Sequence, residues 1–112
     1  MQVHFESRTP DGALVQHSAT RRARFVMRRL SWLVPRVRIV LSDVNGARGG
    51  IDKRCQVETQ AVTGNTVVVV AMATNWHAAV DLALKRVSRT LLRSWRRMQQ
   101  RDRPVLRALH GH

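Results

Sequence analysis

Acidic residues are scarce in this chain: 7 Asp and Glu stand against 20 Lys and Arg, a formal net charge of +13. Charge of one sign repels itself in a compact chain unless a polyanion offsets it, so a nucleic-acid partner is expected. Lysine is scarce as well. Lys53 and Lys85 are the only two, which leaves 18 arginines. The weakly hydrated, forked guanidinium suits phosphates and bases better than bulk solubility. A general bias from Lys to Arg would account for that ratio but not for the charge. Apolar runs are short. The longest, Val67 to Ala73, falls far below the ~20 residues of a membrane-spanning helix, and no membrane association is expected. The opening Met1-Gln-Val-His-Phe-Glu-Ser-Arg8 lacks the basic-then-apolar layout of a secretory signal. The single cysteine, Cys55, excludes an internal disulfide and a cysteine zinc site, and a cytoplasmic location is expected.

Chemistry-bearing groupings are missing too. The histidines are scattered, with no i,i+4 pair to hold a metal. No Ser-His-Asp or Cys-His set assembles, and the acids are too dispersed to nominate a carboxylate pair. The chain is therefore expected not to be an enzyme, with no catalytic residue, cofactor, metal or small-molecule substrate. What remains is 112 residues with a 44% hydrophobic fraction, enough for one core in one domain.

Val3 and Phe5 alternate with Gln2, His4 and Glu6 and predict a first strand. Pro10-Asp11-Gly12 breaks the chain, with Asp11 the expected N-cap of a helix from Ala13 to about Leu33. There Val15, Ala19, Ala23, Val26, Leu30 and Leu33 fall in an apolar stripe about 80° wide. Arg36 to Leu41 alternates again, with Val37, Ile39 and Leu41 inward. Asp43 to Gly50 is turn chemistry, Asn45-Gly46 being its sharpest hairpin signal. A strand from Asp52 to Ala61 puts Cys55 and Val57 on one face and Arg54, Gln56 and Glu58 on the other. Gly64-Asn65 turns into Thr66 to Met72, which is too uniformly apolar for its inward face to be assigned. Asn75 caps a second helix to about Arg101, with the stripe Val80, Leu84, Val87, Leu91, Trp95 and Met98. The order is β-α-β-β-β-α. It predicts an α+β two-layer sandwich, a four-stranded mixed sheet with both helices on one face. Residues 1–102 read as a single RNA-binding domain and 103–112 as a disordered tail.

Each helix has a basic side. The first gathers Arg21, Arg22, Arg24, Arg28 and Arg29, and no acid occurs from Ala13 to Val40. The second gathers Lys85, Arg86, Arg89, Arg93, Arg96 and Arg97, and between Leu82 and Arg101 every charged residue is basic. A charged face is usually a solvated one. Like charges at i,i+3 and i,i+4, however, cost a helix roughly 0.2–0.5 kcal/mol per pair, which structure alone does not justify. If both helices cover one side of the sheet, these faces merge into one phosphate-binding surface. Gly46-Ala-Arg-Gly49 matches the clamp of a KH domain only in its letters, because it joins strands rather than helices. It reads as a hairpin, with Arg48, Lys53 and Arg54 available for further phosphate contacts. Trp76 and Trp95 fall near the apolar stripe and read as core rather than as base-stacking residues. Trp32 lies off the stripe of the first helix. Cys55 reads as a buried thiol.

The element order, the segment Leu41-Ser-Asp-Val-Asn-Gly-Ala-Arg-Gly-Gly-Ile-Asp-Lys-Arg-Cys55 and the helix opening His77-Ala-Ala-Val-Asp81 resemble the ribosome hibernation-promoting factor and ribosome-associated inhibitor family. The resemblance covers about residues 1–100. It implies binding to the small ribosomal subunit and its ribosomal RNA, in the channel used by messenger and transfer RNA, and silencing of idle ribosomes. The family's basic helical residues map onto the two arginine clusters. The first helix departs from the family in having no acids, and the linker from Trp32 to Pro35 is short. No dedicated dimerisation domain follows, so the chain resembles the short form. A general double-stranded RNA binder or RNA chaperone is the main alternative. A membrane-surface protein using a basic amphipathic helix is a weaker one, because Val80, Leu84 and Leu91 are needed in the core.

Overall fold

The computed structural model describes residues 1–44 and 51–109, of which 101–109 by backbone alone. Four strands form one sheet in the order β1 (Gln2–Ser7), β2 (Arg36–Asp43), β3 (Lys53–Gln60) and β4 (Thr66–Ala73). β1 runs parallel to β2, and the other two pairings are antiparallel. The sheet is mixed, as the element order predicts.

Register explains the core. Phe5, Ile39, Val57 and Val69 form one row across the sheet, and Val3, Val37, Thr59 and Val67 form the next. With Leu41, Cys55 and Ala71 these rows lie under α2 (Gln16–Val26) and α3 (Trp76–Leu109). Ala19, Ala23 and Met27 from the first helical region and Ala79, Ala83, Leu84, Val87 and Leu91 from α3 join the same buried cluster. Both helices therefore cover one face. Burial of these side chains, at about 25 cal/mol per Å² of apolar surface, is what orients the helices.

The first helix differs from its sequence reading. It is three pieces: α1 (Pro10–Ala13), α2 and a 3-10 turn at Arg28–Leu30. Thr9, not Asp11, is the N-cap, its Oγ1 accepting from the Gly12 amide at 3.2 Å. Gly12 packs so closely on the Ser7 hydroxyl that a Cβ there would collide with it. The amides of Leu14 and Val15 bond three residues back, to Asp11 and Gly12, and α2 restarts when Ala19 bonds Val15. Beyond Val26 the winding tightens again, which delivers Leu30, Leu33 and Val34 to the core. A 3.6-residue average conceals both changes of pitch.

Two turn readings hold. Gly64 adopts φ +92° in the β3–β4 turn, a conformation that favours glycine. Asn75 Oδ1 accepts from the Ala78 amide at 2.8 Å and caps α3. The backbone of α3 continues as helix to Leu109, past Pro104 and through residues read from sequence as a tail. The Asn45-Gly46 hairpin and the 46–49 segment lie outside the described residues.

Candidate nucleic-acid interface

Where the acids sit decides which surface carries uncompensated charge. Glu6 and Glu58 stand on the open face of the sheet and flank Arg38, at 3.4 and 3.8 Å. Asp11, Asp43 and Asp52 gather at one end of the sheet. Lys53 lies there too, 2.6 Å from Asp43 and 3.6 Å from Asp52, with its ammonium 5.3 Å from the centre of the Trp76 ring. Trp76 is buried, as its sequence position predicts, and its Nε1 donates to Asp11 at 3.0 Å. That bond lowers the Asp11 carboxyl below its usual range. Along α2 and α3, Asp81 is the one acid among the side chains described.

Asp81 joins the two helices. Its Oδ1 accepts from Arg22 of α2 at 2.7 Å and its Oδ2 from Lys85 one turn along α3 at 2.8 Å. The contact ties the second half of α2 to the first turns of α3. Further along, Trp32 meets Trp95 of α3 edge-on, with ring centres 4.9 Å apart. The helices thus run in the same sense and leave a cleft between them on the outer surface.

The arginines of α3 divide between two flanks. Arg86 reaches over the free edge of β4 and donates to the Val70 carbonyl at 3.3 Å. Arg93 and Arg97 line the same flank with Thr66 and Val67. Lys85, Arg89 and Arg96 occupy helical positions that face outward or toward α2. In α2 and the turn after it, Arg24 donates to the Met1 carbonyl and Arg28 to that of Phe25. Arg21, Arg29, Arg89, Arg93, Arg96 and Arg97 are exposed and make no hydrogen bond or ion pair among the described residues.

The structure therefore places eleven of the nominated residues on the helical side, five around α2 and six on α3, with Arg86, Arg93 and Arg97 flanking β4 rather than α2. It separates two others. Lys53 is only 19% exposed and is held by Asp43, and Arg54 lies on the open sheet face bonded to Gln56. Arg48 lies outside the described residues. Two features of the surface were not nominated from sequence. One is Phe25, which is 55% exposed between Arg22 and Arg28. The other is Asp81, which the sequence marks only as part of the helix opening. Spacing held a signal for Phe25, since it stands three residues from each of those arginines and off the apolar stripe.

Cys55 is fully buried, as expected, and burial pushes its thiol up to about 12. No helix among the described residues is long and apolar enough to cross a membrane.

Residues 2–99 match the model of a family described as sigma 54 modulation protein / S30EA ribosomal protein. The chain belongs to this family. Its members are ribosome-associated hibernation factors that are not known as enzymes. The Thermus thermophilus Protein Y N-terminal domain has a similar structure, with a TM-score of 0.63 and 18% identity over 83% of this chain and 98% of that one. A ribosomal subunit interface protein from Coxiella burnetii has a TM-score of 0.66 and 12% identity, over 84% and 97% of the two chains. At such identities these two structures speak for the α+β fold. No curated protein sequence matches the chain significantly.

Proposed function

We propose that this family member binds small-subunit ribosomal RNA in the decoding channel and inhibits translation by occupying it. The mechanism is steric and electrostatic, without turnover or cofactor. The observation that carries the reading is the unpaired arginine surface on α2 and α3. Its charges lie on one side of the molecule, whereas the open sheet face balances Arg38 between Glu6 and Glu58. A channel walled by RNA phosphate suits a body that is cationic on one side, because each guanidinium that meets a phosphate releases condensed counterions. Residues 1–102 are proposed as the binding unit, acting in the cytoplasm, with Arg21, Arg22, Arg24, Arg28 and Arg29 meeting the RNA beside the α3 row.

The test is charge reversal at Arg89, Arg93 and Arg96, three exposed arginines with no partner among the described residues. Replacing all three with Glu should leave thermal unfolding cooperative and helix repulsion reduced. Co-sedimentation with ribosomes and inhibition of cell-free translation should be lost together. The slope of log affinity against log salt should fall by about one unit per phosphate contact removed. Reversal of Arg36 and Arg54 on the open sheet face should do much less. A folded triple variant that still inhibits at wild-type concentration would remove this surface from the mechanism. Sedimentation also separates the general double-stranded RNA binder, which would spread over all RNA rather than follow ribosomal particles.

A further inference from the structure

The chain holds only two Phe and three Trp, yet two of these five stand in solvent within its most cationic surface. Phe25 is 55% and Trp32 is 56% exposed. The guanidinium of Arg28 lies 4.2 Å from the centre of the Phe25 ring and that of Arg22 lies 5.5 Å away. Trp32 is held by two contacts: its Nε1 donates to the Arg29 carbonyl at 3.0 Å, and its ring meets Trp95 at an interplanar angle of 79°. Core packing accounts for Trp76 but not for these two rings.

Trp32 touches Trp95 of α3, and Phe25 stands beside Arg22, which reaches across to Asp81 of α3. Arg22, Phe25 and Arg29 follow one another at spacings of three and four, which keeps them on one flank of the helical segment. The Arg22–Asp81 pair turns that flank toward α3. At its other end the cleft widens into a cavity of about 450 Å³, walled by Val15, Ala19, Ala78 and Val80 with Arg22 and Asp81 among its lining. Its floor is thus apolar, and the Arg22–Asp81 pair stands at its rim.

Duplex RNA hides the faces of its bases and is read through shape, phosphates and 2′-hydroxyls. Cations alone suffice for that, and exposed aromatics add nothing. Unpaired bases need π-faces to stack on and cations to meet the backbone beside them. We propose that the cleft between α2 and α3 holds unpaired nucleotides of RNA, one base stacked on Phe25 and another on Trp32. The inference rests on the RNA-binding reading above and narrows its ligand to segments with unstacked bases. In the free chain the guanidiniums of Arg28 and Arg22 lie over the Phe25 ring, so a base that stacks there displaces at least one of them toward the bound backbone.

The full chain is titrated with a single-stranded RNA oligonucleotide and, at the same ionic strength, with that strand annealed to its complement. The single strand should quench tryptophan fluorescence more than the duplex does, because Trp32 is exposed while Trp76 is buried. Phe25→Leu keeps apolar bulk and charge but removes the ring. It should lower single-strand affinity about tenfold, or about 1.4 kcal/mol, and leave duplex affinity unchanged. Trp32→Leu should do the same and abolish the quenching. Equal losses for strand and duplex, or no loss for either, would overturn the proposal. So would variants that bind both RNAs normally but no longer follow ribosomes, since the rings would then face a ribosomal protein. Failure here leaves wild-type co-sedimentation intact, whereas failure of the RNA-binding reading appears in the arginine reversal.

Discussion

Asp81 receives Arg22 on one carboxylate oxygen and Lys85 on the other. These cations, Lys85 foremost, hold its carboxyl below the usual range. A carboxyl lowered in the folded state stabilises the fold above its unfolded pKa of about 3.9, and the contribution is lost as pH falls through the folded value. Asp81→Asn should therefore cost about 0.5–1 kcal/mol at neutral pH, the range of a partly exposed pair, and progressively less as pH falls below the unfolded pKa. Denaturant melts across an acidic pH series measure the difference. Cys55 behaves in the opposite sense. Its thiol is pushed up to about 12, chiefly by burial, with Arg54 pulling weakly the other way. The unfolded thiol ionises near pH 8.5, so stability from this group is complete below that and declines as pH rises toward the folded value. Alkylating reagents should label Cys55 only when the chain unfolds. Cys55→Val should leave RNA affinity unchanged, while Cys55→Ser should cost about 1–3 kcal/mol by burying a hydroxyl with no partner assured. Loss of RNA binding in a variant that melts cooperatively would place Cys55 at the interface.

At the scale of elements, β4 and α3 protect each other. β4 reads Thr66-Val-Val-Val-Val-Ala-Met-Ala73 and lies at an edge of the sheet. An apolar edge strand with free carbonyls is a template for pairing with another chain. Arg86 bonds one of those carbonyls, at Val70, and Arg93 and Arg97 stand beside the strand's start. Arg86→Ala should therefore raise concentration-dependent light scattering on storage. Its unfolding free energy should change by less than about 1 kcal/mol, as for other exposed contacts. Unchanged scattering would show that α3 guards the edge by bulk alone. The same strand shows where sequence patterning stops. Both of its faces are apolar, so alternation carries no direction. Only the register with β3 sets Val67, Val69 and Ala71 inward and leaves Val68, Val70 and Met72 exposed.

Across the whole molecule, six arginines, Arg21, Arg29, Arg89, Arg93, Arg96 and Arg97, carry exposed charge with no partner among the described residues. If each meets one phosphate, the log–log salt slope of binding should be about −4 to −5, at ~0.7–0.9 per contact. Filter binding across a salt series reads it. A slope near zero would contradict phosphate-led binding, and a much steeper one would bring in arginines now tied to backbone carbonyls, Arg24, Arg28 and Arg86 among them.

Strand alternation in β2 and β3, the apolar stripes, the Asn75 cap and the Gly64 turn depend on neighbours a few residues apart, and those the sequence by itself determined. The basic faces of both helices, and hence eleven nominated residues on one side, were legible for the same reason: once a stripe is buried, its reverse must face solvent. Tertiary structure decided what depends on distant partners. Lys53 and Arg54 are adjacent in sequence, but the pleat sends one beneath Trp76 and the other to the open sheet face. Thr9 is the cap because α1 begins at Pro10, which leaves the Asp11 carboxylate to accept from Trp76, 65 residues away. Arg22 meets Asp81 across 59 residues, and the same guanidinium lies 5.5 Å from the centre of the Phe25 ring. Local spacing fixes which face of an element is apolar. Only packing fixes what each polar face then meets.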